Sequence, residues 1–139
     1  MIKKLLLVLS VGTLTGCSTI ELAVDSYLLA KYDTNEYALV NTVKTKAFIA
    51  QSDCNDRAKT LSHVDAIYEK SVEFKNFTLH IPRNKDAQNM SDKLVKLTQD
   101  TKEYYQKNEK VSEIFCKARY QQIYRSADTI QHTLGSKPR

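Results

Sequence analysis

The side chains in this sequence that could do chemistry are few and scattered. Three cysteines stand at Cys17, Cys54 and Cys116, three histidines at His63, His80 and His132, and acids gather at Asp53, Asp56 and Asp65. A metal centre needs His, Cys or carboxylate ligands that one helix face or loop can converge on an ion. No histidine here has a second ligand at such a spacing, and the three aspartates read more simply as a solvated helix face. A nucleophile needs a positioned base and oxyanion donors, which tight loops usually supply. Glycine occurs only at Gly12, Gly16 and Gly135, and proline only at Pro82 and Pro138. Glycine-rich phosphate loops, dinucleotide-binding turns and nucleophile elbows therefore cannot be built. No catalytic residue, metal or cofactor is expected. The one unusual signal is aromatic: eight tyrosines and no tryptophan. Tyr104, Tyr105, Tyr120 and Tyr124 cluster beside Arg119 and Arg125, a composition suited to a partner-binding surface or to stacking on glycan rings. Snorkelling of the same side chains out of a narrow core is the alternative.

The context of Cys17 is an address. Lys3 and Lys4 form a short basic region, Leu5 to Leu14 an apolar one, and the run ends in Leu14-Thr15-Gly16-Cys17. Ten positions are too few to span a bilayer as a permanent helix, which takes about 20. The run resembles the lipobox of bacterial lipoproteins, and all four of its positions match. The resemblance implies a diacylglycerol thioether on Cys17, cleavage before it, and N-acylation in many Gram-negative hosts, palmitate being the expected acyl group. Ser18 rather than Asp follows the cysteine, which in that family implies the outer membrane. More than one acyl chain makes the anchoring stable.

Removal of residues 1–16 leaves residues 17–139. Without Lys3 and Lys4 the count is 19 basic against 16 acidic residues, a net of +3. That is weaker than a nucleic-acid-binding domain normally shows, and nucleic acid is not an expected partner. The expected division is a cleaved signal peptide over 1–16, a helical periplasmic domain over 17–134 and a flexible tail over 135–139.

The elements that position these residues read as helices. Ser18 and Glu21 have capping-box spacing, so a short apolar helix is expected over Thr19 to Tyr32, with Asp33 and Glu36 offering a second cap. Val40, Val43, Ala47, Ala50, Cys54, Arg57, Leu61, Val64 and Tyr68 then step by three and four, the pattern of one narrow buried stripe. Glu73 to Arg83, partly alternating and closed by Pro82, reads as an extended connector, with an edge strand as the alternative. A second helix is expected to begin between Asn84 and Ser91. Its stripe runs through Met90, Leu94, Leu97, Thr101, Tyr104, Asn108, Val111, Phe115 and Ala118. It then shifts phase to Cys116, Tyr120, Ile123, Ala127, Ile130 and Leu134, with Gly135 as the stop. The expected fold is all-α: a long antiparallel helical hairpin, of coiled-coil type, or a small helical bundle.

Export makes the remaining thiols informative. In an oxidising compartment Cys54 and Cys116 are expected to form a disulfide within the chain, with a disulfide-linked dimer or free thiols as alternatives. Residues paired across a hairpin have a near-constant index sum. A turn centred near residue 80 gives about 160 for that sum, whereas the cysteines give 170, a mismatch of some two to three helical turns. The expected function is a non-enzymatic interaction module of the cell envelope, held to the membrane by acylated Cys17 and facing the periplasm. Its expected partner is an envelope protein, and a homodimer is possible. Its short length, lipobox and helical body also resemble the outer-membrane lipoprotein subunit of phage spanin (lysis) complexes. An accessory or superinfection-exclusion lipoprotein on an outer-membrane protein is the further alternative. An enzyme acting on cell-wall glycan would need a carboxylate pair in a cleft, and none is evident.

Overall fold

The computed structural model describes residues 30–139. The signal peptide, the lipobox with Cys17, and the helix expected over Thr19 to Tyr32 lie outside the described residues, apart from Ala30–Tyr32, which are not helical. Four helices follow: α1 (Thr34–Ala50), α2 (Arg57–Leu79), α3 (Lys85–Lys107) and α4 (Glu113–Gly135), with a short 3-10 turn at Gln51–Asp53. No strand occurs among the described residues.

Three of the four helices start on a capping side chain. Asp33 caps α1, its Oδ1 accepting the N–H of Asn35 at 2.8 Å and of Glu36 at 2.9 Å. Asp56 caps α2 through the N–H of Lys59, and Ser112 caps α4 through that of Phe115. The α1–α2 break falls in Gln51-Ser52-Asp53-Cys54-Asn55-Asp56, and the α3–α4 break in Asn108-Glu109-Lys110-Val111-Ser112. Both stretches are rich in side chains that compete for backbone hydrogen bonds.

The helices form an up-down-up-down bundle in which each packs on its two neighbours, the α3–α4 pair least extensively. The all-α expectation holds, and the bundle rather than the long hairpin is the form it takes. Both long helices are broken in the middle, so the molecule is about 35 Å long at 1.5 Å per residue, not the 60 Å that an unbroken hairpin would reach. The extended connector is corrected too. α2 runs to Leu79, because Ser71, Phe74 and Thr78 continue the buried stripe of Thr60, Val64 and Ile67. Pro82 lies beyond the last turn and stops nothing earlier. The α2 stripe agrees with the expected one at Val64 and departs from it on either side: Arg57 is exposed, and Leu61 and Tyr68 are only half-buried beside the buried Thr60 and Ile67.

The core combines two textures. α1 and α4 contribute Val40, Val43, Ala47 and Ala50 against Cys116, Tyr120, Ile123, Ala127, Ile130 and Leu134. Between α2 and α3 the buried seam holds Ser71, Thr78, Ser91, Thr98 and Thr101. Their hydroxyls donate to carbonyls one turn back, as Ser71 does to Ile67 and Thr98 to Leu94. Small hydroxyl residues satisfied in this way let two helices approach closely without stranding a polar group.

The disulfide between Cys54 and Cys116, with Cα atoms 5.7 Å apart, joins the α1–α2 turn to the first turn of α4. At the opposite end Glu36, fully buried, accepts from Asn84 Nδ2 at 2.5 Å and from Lys137 Nζ at 2.6 Å. Tyr32 N–H also donates to the Pro138 carbonyl at 2.8 Å. The tail expected to be loose is therefore pinned, since its lysine and a carbonyl complete this buried cluster.

Candidate functional site

The aromatic and arginine residues singled out in the sequence divide into two groups. Tyr105 and Tyr120 are core residues. Their rings stack with centroids 6.4 Å apart, and the Tyr120 hydroxyl donates to the Thr60 carbonyl across the bundle at 2.9 Å. Burial pushes the Tyr105 hydroxyl up to about 12 and raises that of Tyr120 further. Neither ring can meet a partner. The expectation of partner contact at these two positions gives way to core packing, because the three-four alternation of α4 turns Tyr120 inward with Cys116 and Ile123.

The other members lie at the surface of the bundle's disulfide half. Tyr104, in the last turn of α3, packs on Phe115 of α4 with centroids 4.6 Å apart. The Arg119 guanidinium covers the same Phe115 ring at 5.3 Å, and its Nη1 donates to Gln122. Tyr124 is half-buried against Phe48 of α1 at 6.0 Å, with Lys44 Nζ 5.5 Å above its ring. Arg125 is exposed.

Three further residues extend this surface: Phe48, Ile49 and Ile114, which are 65%, 52% and 83% exposed. With Tyr104 they sit at the ends of α1, α3 and α4 that meet around the disulfide. Of the large hydrophobics exposed among the described residues, only Leu79 lies at the other end. The sequence signal for Phe48 and Ile49 was available. They fall between the stripe positions Ala47 and Ala50, so a helix that buries the small residues must expose the large ones. Ile114 is two residues past the Ser112 cap and lies outside any stripe.

The residues considered for metal or acid–base chemistry are spent on structure. Asp53 Oδ2 meets His63 Nε2 at 2.8 Å and its Oδ1 meets Lys59 Nζ at 3.4 Å. The His63 hydrogen bond holds the Asp53 carboxyl below its ordinary value, with Lys59 adding to the effect. Asp56 caps α2, and Asp65 pairs with Lys102 at 3.0 Å. His80 ends α2 and His132 lies in the last turn of α4. Among the described residues no three His, Cys, Asp or Glu side chains stand together as a metal would require. No helix among them is long and apolar enough to cross a membrane. Comparison with known protein families, characterised proteins and solved structures finds no match to this chain.

Proposed function

We propose that this chain is a lipid-anchored envelope protein that works as a non-enzymatic interaction module, presenting the disulfide end of its bundle to another envelope protein. The observation that carries the reading is the gathering of Phe48, Ile49, Tyr104 and Ile114 at that end. Large apolar side chains exposed at one end of a fold suit contact with a partner. The described chain begins at Ala30, beside Pro138 and at the opposite end of the bundle. An anchor at Cys17 would therefore be joined to the bundle at its Glu36 end. The Leu14-Thr15-Gly16-Cys17 run supports acylation and an outer-membrane, periplasm-facing location.

Two measurements test the reading. Labelled palmitate should enter the wild-type chain and not the Cys17→Ser variant, which should move from the membrane to the soluble fraction. A photo-crosslinker at Ile114 should capture a protein partner in intact cells, and one at Leu79 should not. A crosslink to an inner-membrane helical protein would identify the spanin-type arrangement, and one to a β-barrel the accessory or exclusion type. An unlabelled wild-type chain, or equal capture from both positions, would sink the proposal.

A further inference from the structure

Of the helix pairs that neighbour in the bundle, α3 and α4 pack least extensively, and an open groove of about 230 Å3 lies along their seam. It is lined by Met90, Lys93 and Leu94 of α3 and by Ser126, Thr129 and Ile130 of α4, all in the half of the bundle nearer Glu36. Met90, Leu94 and Leu97 stand at i, i+4 and i+7, which is one face of a helix. Leu94 is buried, whereas Met90 and Leu97 are only partly so and keep apolar surface along the seam. Lys93 is exposed and forms no ion pair with a described residue.

The described chain begins at this same end. Tyr32 N–H donates to the Pro138 carbonyl, and the adjacent Lys137 bonds Asn84, the residue before α3. Tyr32 and Asn84 are thus bridged by the tail, and their numbers add to 116. Residues 17–29 precede Ala30 and lie outside the described residues. Seven of the eleven residues from Thr19 to Leu29 are apolar, and the two charged ones are Glu21 and Asp25. Continued antiparallel to α3 from the Tyr32–Asn84 joint, this stretch has a near-constant index sum, since both helices rise equally per residue. Leu28 then falls opposite Met90, Val24 opposite Leu94 and Ile20 opposite Leu97, with numbers adding to 117 or 118. The same register sets Asp25 against Lys93 and Glu21 against Lys96. Apolar residues meet apolar ones, and each acid meets a lysine.

We propose that residues 20–29 dock in the α3–α4 seam as a fifth helix, antiparallel to α3. Ten helical residues are about 15 Å long, the length of α3 from Gln88 to Leu97. The tether at Ala30 holds the stretch at high local concentration beside the groove, so modest contacts suffice. Cys17 is then carried level with the middle of α3. This goes beyond the interaction surface at the disulfide end, and it does not depend on acylation.

The test places a benzophenone side chain at Met90 or Leu97 of the full chain, reconstituted in phosphatidylcholine vesicles, with Ile114 at the far end as the control. Irradiation should join position 90 to Leu28 and its neighbours, and position 97 to Ile20 and its neighbours, as located by mass spectrometry. Position 114 should reach neither. An equal mixture of 15N-labelled and unlabelled chains should give crosslinked peptide pairs of one label only. Asp25→Lys should lower the yield at position 90 about threefold, the worth of an exposed ion pair, and adding Lys93→Asp should restore it. Mixed-label pairs would assign the seam to a second copy, and adducts with lipid alone would assign residues 20–29 to the bilayer. Either result, or a yield that the reversed charge pair fails to restore, would overturn the proposal.

Discussion

Glu36 illustrates how a residue's local and tertiary roles compete. Asp33 and Glu36 have the spacing of a reciprocal cap, yet only Asp33 caps. The Glu36 carboxylate turns into the end of the bundle, where it is fully buried against Asn84 and Lys137. Removing one partner of a buried ion pair strands the other charge, at a cost of about 3 kcal/mol. Lys137→Met should therefore destabilise the fold by about that amount, measured by urea unfolding. Glu36→Gln should cost less, because Lys137 keeps 13% of its side-chain surface in solvent and can turn outward. Acid should weaken the fold through Asp53 and Asp128. The hydrogen bond from His63 holds Asp53 below its ordinary value of 3.8, and that from Lys44 does the same for Asp128. A carboxyl depressed in the folded state stabilises in full above 3.8, and this contribution is lost as pH falls through its lower folded value. Stability should thus decline below about pH 4, and Asp53→Asn with Asp128→Asn should flatten that decline in pH-dependent thermal unfolding.

At the scale of elements, the sequence pattern carried the pairing and missed the folds in it. Partners across α1 and α4 have residue numbers adding to 170–172, as in Cys54–Cys116, Lys44–Asp128 and Asn41–Gln131. Across α2 and α3 the sum is 167 for Lys75–Asp92 and Asp65–Lys102. This is the arithmetic of one long hairpin with its turn at His80–Asn84, doubled over at residues 51–56 and 108–112. The hairpin pattern was legible because doubling over preserves it. Neither break contains glycine or proline, so both hide inside a continuing three-four alternation. Only Asp56 and Ser112, capping residues three positions before Lys59 and Phe115, betray them. The α4 stripe from Cys116 to Leu134 was legible except at Gln131, which is polar and buried. The α2 and α3 stripes were right at Val64, Leu94 and Thr101, and took Leu61, Met90 and Leu97 in place of their neighbours Thr60, Ser91 and Thr98, which are polar by composition and buried with their hydroxyls hydrogen-bonded. Closing 62 residues between Cys54 and Cys116 stabilises the fold by about 4 kcal/mol in the chain-entropy model. Reduction should therefore lower the thermal midpoint by on the order of 15 °C, read by circular dichroism with and without reductant.

Across the whole molecule, the two ends of the bundle are built from different materials. One gathers Glu36, Asn84 and Lys137 around the start and finish of the described chain. The other is clamped by the disulfide and leaves Phe48, Ile49 and Ile114 in solvent. If that end serves a partner and not the fold, its apolar side chains should be separable from stability. Each is more than half exposed, and surface substitutions typically change stability by no more than about 0.5 kcal/mol. The combined Phe48→Ser, Ile49→Ser and Ile114→Ser variant should then unfold within about 1.5 kcal/mol of wild type in urea. In cells it should lose the partner captured by a crosslinker at Tyr104, which stays in place beside Phe115. A variant that is strongly destabilised would show instead that these side chains are covered within the chain or by a second copy of it. A variant of normal stability that still captures its partner would place the docking surface elsewhere on the bundle.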